Sequence, residues 1–94
     1  MYFCSASGDD TNPRDAFRND ESIDIVLNSY SGKTIEIYIK DISNGNTVFQ
    51  KSFYIPSDWP GLNQAVGNLK SGSYVLTGVI EGKTRLKDYR FLVR

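Results

Sequence analysis

Apolar and polar residues alternate along much of this chain with the two-residue period of β-strands. In the clearest run, over 35–40, three isoleucines interleave with Glu36, Tyr38 and Lys40. Similar runs cover 23–27 and 74–80, whereas 47–55 is rich in strand-forming residues but ambiguous in phase. This pattern predicts half-buried strands of an antiparallel sheet that has one face toward solvent.

Turn signals separate these runs. Gly32 follows the first strand, and Asn44-Gly45 is a favoured two-residue hairpin turn because both residues tolerate positive φ. Glu81-Gly82-Lys83 reverses the chain near its end. The stretch 56–61 contains two prolines, which cannot donate to a hydrogen-bond ladder. We therefore predict a crossover loop there and a short strand or turn over 62–69.

The last third, 69–94, reads as a β-hairpin whose second strand changes phase. Leu86 and Tyr89 both suit the core but lie an odd number of residues apart, so we predict a bulge near Lys87-Asp88. Residues 13–18 begin a short strand or continue a tail. No segment has convincing helical periodicity, and short strands at about ten-residue spacing are typical of sandwiches. The sequence predicts an all-β, antiparallel β-sandwich of about six to seven strands over 13–94, preceded by a flexible polar and acidic tail over 1–12.

Composition disfavours several functions. Eleven basic residues balance eleven acidic ones, so the surplus of cations that nucleic acid requires is missing. The chain has no histidine and one cysteine, which leaves no Ser-His-Asp arrangement, internal disulfide or thiolate metal cage. The acidic residues over 9–24 lack the spacing of an EF-hand and suit a solvated face better than calcium. We predict no enzyme activity, no metal and no cofactor.

Three motifs carry a family resemblance. The stretch 35–41 with Gly45 and Val48-Phe49 resembles the strand-turn-strand pattern of small exported Ig-like domains from Bacteroidetes. Residues 69–74 are similar to their "L-x-x-G-x-Y" signature, and Gly82-Lys83 with 90–93 resembles their closing strand. The pattern covers about 22–93. It is shared by stand-alone domains of unknown function and by the C-terminal sorting domains of type IX secretion cargo. Because Thr11-Asn12-Pro13 lacks the first proline of the sorting-domain opening, the stand-alone family is favoured.

The resemblance implies an immunoglobulin-like sandwich that is exported to the periplasm, cell surface or medium. The function that it favours is a non-catalytic binding or structural module at the cell envelope, with an unidentified protein or glycan partner. The alternatives are a sorting domain and a glycan-binding accessory domain. Cys4, followed by small residues and then Asp9-Asp10, is similar to the mature start of a surface lipoprotein. Lipidation of Cys4 would supply the one membrane contact; the simpler interpretation is an incidental free cysteine in the tail.

Aromatic and charged residues supply the remaining candidates. Trp59 and Asp58 lie in the proline-flanked loop, where a tryptophan either stacks on a sugar or, as we favour, closes the open end of the core. Tyr38 and Tyr54 are expected on the outer face of adjacent strands, as a cross-strand pair or as a partner contact. Tyr74 and Tyr89 are expected inside. We expect the C-terminal cations to protect an edge strand from aggregation rather than to bind an anion: Lys83, Arg85, Lys87 and Arg90.

Overall fold

The computed structural model describes residues 2–5, 15–28, 30–59 and 61–94, and the side chains of these residues other than those of 2–5, 28, 61 and 62. The described residues form nine strands and no helix. The strands are β1 (Tyr2–Ser5), β2 (Ala16–Phe17), β3 (Ile23–Asn28), β4 (Thr34–Asp41), β5 (Thr47–Tyr54), β6 (Gly61–Gly67), β7 (Gly72–Ile80), β8 (Thr84–Arg85) and β9 (Tyr89–Val93).

The strands form two sheets. The three-stranded sheet has the order β1-β3-β6, and the six-stranded sheet has the order β2-β9-β7-β4-β5, with β8 paired to β7. All pairings are antiparallel except that of β2 with β9. This order matches the A-B-E and C′-C-F-G sheets of an immunoglobulin-like sandwich. The predicted fold class is confirmed, and the two strands beyond the predicted maximum of seven are the short strands β1 and β8.

The core lies between the two sheets. The aliphatic residues of β3 and β4 that the sequence places at alternate positions are fully buried: Ile23, Ile25, Leu27, Ile35, Ile37 and Ile39. Aromatic and aliphatic side chains from elsewhere in the chain complete this cluster, and Phe91 contacts Phe17 edge-to-face with 6.3 Å between ring centroids. The alternating pattern therefore marks the side of each strand that faces the opposite sheet.

The predicted bulge in the C-terminal strand is confirmed. Val79 of β7 pairs with Arg85, whereas Leu76 pairs with Tyr89. Between these two pairs, two residues of β7 (77–78) lie opposite three residues (86–88), so one extra residue lies between β8 and β9. This extra residue allows both Leu86 and Tyr89 to pack against the core.

The predicted two-residue turn at Asn44-Gly45 is wrong. Five residues connect β4 to β5, the register shifts beside Lys40, and only Gly45 has a positive φ, of 72°. The Gly45 amide donates to the Asp41 carbonyl at 2.8 Å, which closes a wider loop. A β-turn with two positive φ angles occurs instead at Glu81 (54°) and Gly82 (66°), within the three residues that connect β7 to β8, and the Lys83 amide closes it by donating to the Ile80 carbonyl at 3.0 Å.

A reciprocal pair of hydrogen bonds holds Glu81 in this left-handed conformation. Its amide donates to the Thr34 carbonyl at 2.8 Å, and its Oε1 accepts from the Thr34 amide at 3.0 Å. A non-glycine residue at positive φ carries a steric cost that neighbouring contacts must offset. The Thr34 backbone supplies those contacts, so a glutamate occupies a position that usually favours asparagine, aspartate or glycine.

The N-terminal segment contributes to both sheets. Residues 2–5, within the predicted flexible tail, form β1, which pairs with β3. Tyr2 and Phe3 have the β-propensity that the polar residues after them lack. The short strand proposed for 13–18 is present as β2, whose partner is β9.

The prediction that the cationic C-terminal strand is an edge is wrong for β9, which carries Arg90, whereas β8, which carries Arg85, pairs only with β7 among the described strands. β9 lies between β2 and β7, because β2 approaches from the N-terminal segment and pairs with it in parallel. Among the described strands, β5 forms one edge of the six-stranded sheet and carries a single charge, that of Lys51. A lysine in the middle of an edge strand opposes the addition of further strands.

Tyr74 anchors the start of β7. The residue is 2% exposed, its ring stacks on Phe91 with 5.4 Å between centroids, and its hydroxyl donates to the Lys70 carbonyl at 2.6 Å. A tyrosine at this position that bonds back to the preceding corner is the tyrosine corner of immunoglobulin-like domains. Burial, and secondarily the Asp41 carboxylate, raises the pKa of the Tyr74 hydroxyl.

Candidate binding groove on the six-stranded sheet

The outer face of the six-stranded sheet, which points away from the three-stranded sheet, carries the main candidate site. Strand register fixes its rows of side chains. Tyr38 of β4 lies between Gln50 of β5 and Thr77 of β7, and Lys40 is two residues further along β4. Because outward positions on adjacent strands have a spacing of about 4.8 Å, these side chains are neighbours. The sandwich thus presents them on a continuous backbone scaffold.

These rows border a groove of about 320 Å³, which we call the sheet groove. It is lined by Tyr38 and Lys40 of β4, Thr47 and Gln50 of β5, Thr77 and Val79 of β7, and Arg85 of β8. The lining combines one tyrosine, one valine, two threonines, one glutamine and two cations. Small-ligand sites of this kind have volumes of about 300–1,000 Å³ and a few convergent polar groups.

Asp88 orients the guanidinium at one side of the groove. Arg85 Nη2 donates to both carboxylate oxygens of Asp88, at 3.1 and 3.2 Å, and Thr77 Oγ1 donates to Asp88 Oδ1 at 3.1 Å. The hydrogen bond from Arg85 is the main cause of the lowered pKa of the Asp88 carboxyl, against the smaller opposing effect of burial. A single guanidinium nitrogen makes both contacts, so the remaining N–H groups of Arg85 are left for other acceptors.

Lys40 stands on β4 without a partner of opposite charge among the described residues. It opposes Thr47 and Val75, neither of which is charged. Its ammonium is exposed and lines the same groove as Arg85. The groove therefore has a cation from β4 and a second from β8, with Tyr38 and Thr77 in the rows between them.

The four residues predicted as ligand or partner contacts do not form one site. Tyr38 lines the sheet groove, whereas Tyr54 is on the same face but opposes Thr34, four residues away along β4. Four residues of strand span about 13 Å, so the proposed cross-strand pair of Tyr38 and Tyr54 is wrong. Tyr54 is 58% exposed.

Trp59 and Asp58 lie in the loop between β5 and β6. Trp59 is 46% exposed and is not part of the buried core, which differs from its predicted role in closing the sandwich. The loop is fixed by the backbone of Trp59, whose amide donates to the Pro56 carbonyl at 3.1 Å and whose carbonyl accepts from the Ser31 hydroxyl. Asp58 is exposed. Hydrogen bonding of the main chain therefore orders this loop without burying the indole.

A larger hollow of about 430 Å³, at the end of the sandwich near the β4–β5 loop, has less to offer a ligand. Several of its polar groups are already engaged within the chain. Asp41 Oδ1 accepts from the amide and the hydroxyl of Ser43, Asn44 Oδ1 accepts from the Asn46 amide, and Tyr74 donates to Lys70. These contacts stabilise the loop.

Sequence reasoning missed most of the groove. Lys40, Thr47, Gln50 and Thr77 were not predicted as site residues, and Arg85 was assigned to edge protection. The alternation of apolar and polar residues along β4 and β7 does predict which of their side chains point outward. Their alignment depends on strand register, which the bulges beside Lys40 and after Arg85 shift.

Cys4 lies in β1 opposite Asp24, and its side chain is outside the described set. No group of three or more histidine, cysteine, aspartate or glutamate side chains suited to a metal ion occurs within the described residues. Within the described residues, no helix is long and apolar enough to span a membrane.

No protein-family model matches the chain, and a search of curated proteins gave no match.

Proposed function

We propose that this chain is a non-catalytic binding module whose ligand contacts the sheet groove. The observation that carries the proposal is the convergence of side chains from four strands on one groove of the outer face. Strands hold side chains more firmly than loops do, so a ligand loses little free energy in ordering the site. Tyrosine and arginine are also among the residues that contribute most to binding energies.

The protonation properties of Asp88 and of two tyrosines outside the groove favour binding over catalysis. Asp88 contacts Arg85, and its lowered pKa makes it a weak proton acceptor at neutral pH. Burial raises the pKa of the Tyr89 hydroxyl and that of the Tyr74 hydroxyl, with Asp15 and Asp41 as the respective secondary causes. Both hydroxyls therefore stay protonated near neutral pH. The chain also has no histidine to serve as a general base.

We further propose that the module acts after export, at the cell envelope or outside the cell, as its resemblance to small exported domains implies. The test is the intact mass and N-terminal residue of the protein from envelope, secreted and cytosolic fractions of its host. A chain that begins at lipid-modified Cys4 would support an anchored module. Continuation into a larger cargo would favour a sorting domain, and an unmodified cytosolic chain would contradict export.

The binding proposal is tested by a screen of small fragments against the ¹⁵N-labelled protein, observed by NMR. We expect the fragments that bind to shift the amides of Tyr38, Gln50 and Thr77. The variant Tyr38→Ser should lose these hits, whereas the matched variant Tyr54→Ser, on the same face but outside the groove, should keep them. Hits that cluster elsewhere, or that are indifferent to Tyr38, would contradict the assignment.

A further inference from the structure

We propose that the ligand of the sheet groove is an acidic saccharide, whose ring packs on Tyr38 and whose carboxylate or sulfate is bound by Lys40 and Arg85. This inference rests on the proposed function and adds the chemical class of the ligand. It follows from the charge of the lining, from the contacts that Lys40 and Arg85 make, and from the aromatic and hydroxyl-binding groups between these two cations.

The charge of the lining favours an anion. Two of its seven residues are cations and none is an acid, although the chain as a whole has zero net charge. Two carboxylates border this lining: Asp88 forms an ion pair with Arg85, and Glu36 on β4 opposes Val79. Lys40 forms no ion pair within the described residues, so the end of the groove at Lys40 is where an anionic ligand is attracted most strongly.

Arg85 is held ready for a second acceptor. A free arginine must lose side-chain entropy when it binds a carboxylate, and the contacts of Nη2 with both oxygens of Asp88 have already removed part of that freedom. Thr77 fixes Asp88 in turn. The N–H groups on Nη1 and Nε are not used by Asp88, and each can donate a charge-assisted hydrogen bond to an oxygen of a carboxylate or sulfate.

The groups between the cations indicate a sugar rather than a bare anion. Tyr38 offers an aromatic face to the C–H groups of a sugar ring, and such contacts add weak but directional attraction. Thr47, Gln50 and Thr77 supply hydroxyl and amide groups that bind hydroxyls as donors and acceptors. A cavity of about 320 Å³ is at the small end of the range for organic ligands, and it exceeds what a single inorganic anion fills.

The experiment is an NMR titration of the full chain with a short oligogalacturonate, a sulfated chondroitin oligosaccharide and a neutral galacto-oligosaccharide of similar length. We expect at least one acidic ligand to shift the amides of Tyr38, Gln50 and Thr77 and the neutral one to bind about tenfold more weakly or not at all. Binding should weaken as salt increases from about 0.05 to 0.5 M, because ions screen the attraction. The two acidic ligands distinguish carboxylate from sulfate.

Two charge variants localise the effect. Lys40→Gln should raise the Kd for the acidic ligand about tenfold, because a charge-assisted hydrogen bond is lost. Lys33→Gln removes the same charge from an exposed position in the turn before β4, outside the groove, and should change the Kd by less than about twofold. Equal losses in both variants would reveal non-specific attraction and overturn the proposed site for the anion.

The other outcomes separate the two proposals. If the neutral ligand binds the groove as tightly as the acidic ones, the acidic class is wrong and the binding function stands. If no saccharide shifts the groove at about 10 mM, the saccharide inference is overturned, and the fragment screen then decides the binding function on its own. Saccharide shifts confined to other surfaces, together with fragments that avoid the groove, would contradict both.

Discussion

The hydroxyl of Tyr74 provides a sharp test of the packing at the start of β7. Tyr74→Phe removes the bond from that hydroxyl to the Lys70 carbonyl, at 2.6 Å, and leaves the ring stacked on Phe91. Loss of one such hydrogen bond lowers the free energy of unfolding by about 1 kcal/mol. For a chain of this length, that corresponds to a decrease in Tm of about 4–8 °C.

Two control variants bracket this value. Tyr54→Phe removes a hydroxyl from a residue that is 58% exposed, and should change stability by less than about 0.5 kcal/mol. Tyr74→Ala also removes the buried ring and should lower the free energy of unfolding by about 3–5 kcal/mol. The assay is urea denaturation followed by circular dichroism. If Tyr74→Phe were as stable as Tyr54→Phe, the corner bond would contribute nothing and our account of the β6–β7 connection would be refuted.

Tyr74→Phe should also change how the stability of the fold depends on pH. Burial, and secondarily Asp41, raises the pKa of Tyr74 in the folded chain above its unfolded value of about 10. The stability that comes from keeping the hydroxyl protonated is fully present below pH 10 and is lost as pH rises through the folded pKa. The wild type should therefore lose stability above pH 10 more steeply than Tyr74→Phe. Parallel alkaline curves would contradict this assignment.

Three other predictions concern the turn, the edge and the groove. Glu81→Ala should destabilise the fold by about 1 kcal/mol in thermal denaturation, because it keeps the positive φ but removes the acceptor for the Thr34 amide; an unchanged Tm would contradict this role. Lys51→Val should increase self-association over the wild type in sedimentation experiments, since it removes the charge in the middle of edge strand β5; equal association at about 1 mM would be the contrary result. The lowered pKa of Asp88, due first to the hydrogen bond from Arg85, gives stability that is present above the unfolded pKa and lost as pH falls through the folded pKa. Asp88→Asn should therefore flatten the acid limb of the stability curve, and an acid limb as steep as that of the wild type would disprove this contribution.

The sequence predicted those features that depend on local patterning. The isoleucines of β3 and β4 alternate because one face of each strand is buried, so both strands and their core residues followed directly. The bulge before Tyr89 followed from a change of phase in the same alternation. The tyrosine corner also had a signal, since the spacing of Leu69, Gly72 and Tyr74 places a tyrosine just after a turn at the start of a strand.

Features that depend on pairing between distant segments were not predictable in this way. The parallel pairing of β2 with β9 converts the expected C-terminal edge into an interior strand, and nothing in the composition of 89–93 indicates it. The prediction of a two-residue turn after β4 was wrong. Asn44-Gly45 has the sequence of a short hairpin turn, but a hydrogen bond from the Gly45 amide to the Asp41 carbonyl closes a longer loop. The groove depends on the second feature, because the register shift beside Lys40 sets which outward side chains of β5 lie beside those of β4.

The most direct test of the central claim compares two reporters in one NMR titration with the fragments that bind. Our account predicts shifts at the amides of Tyr38 and Thr77 in the sheet groove, with the indole N–H of Trp59 unchanged. Movement of the Trp59 indole, with the amides of β4 and β7 unaffected, would place the binding site on the β5–β6 loop and contradict the assignment to the six-stranded sheet.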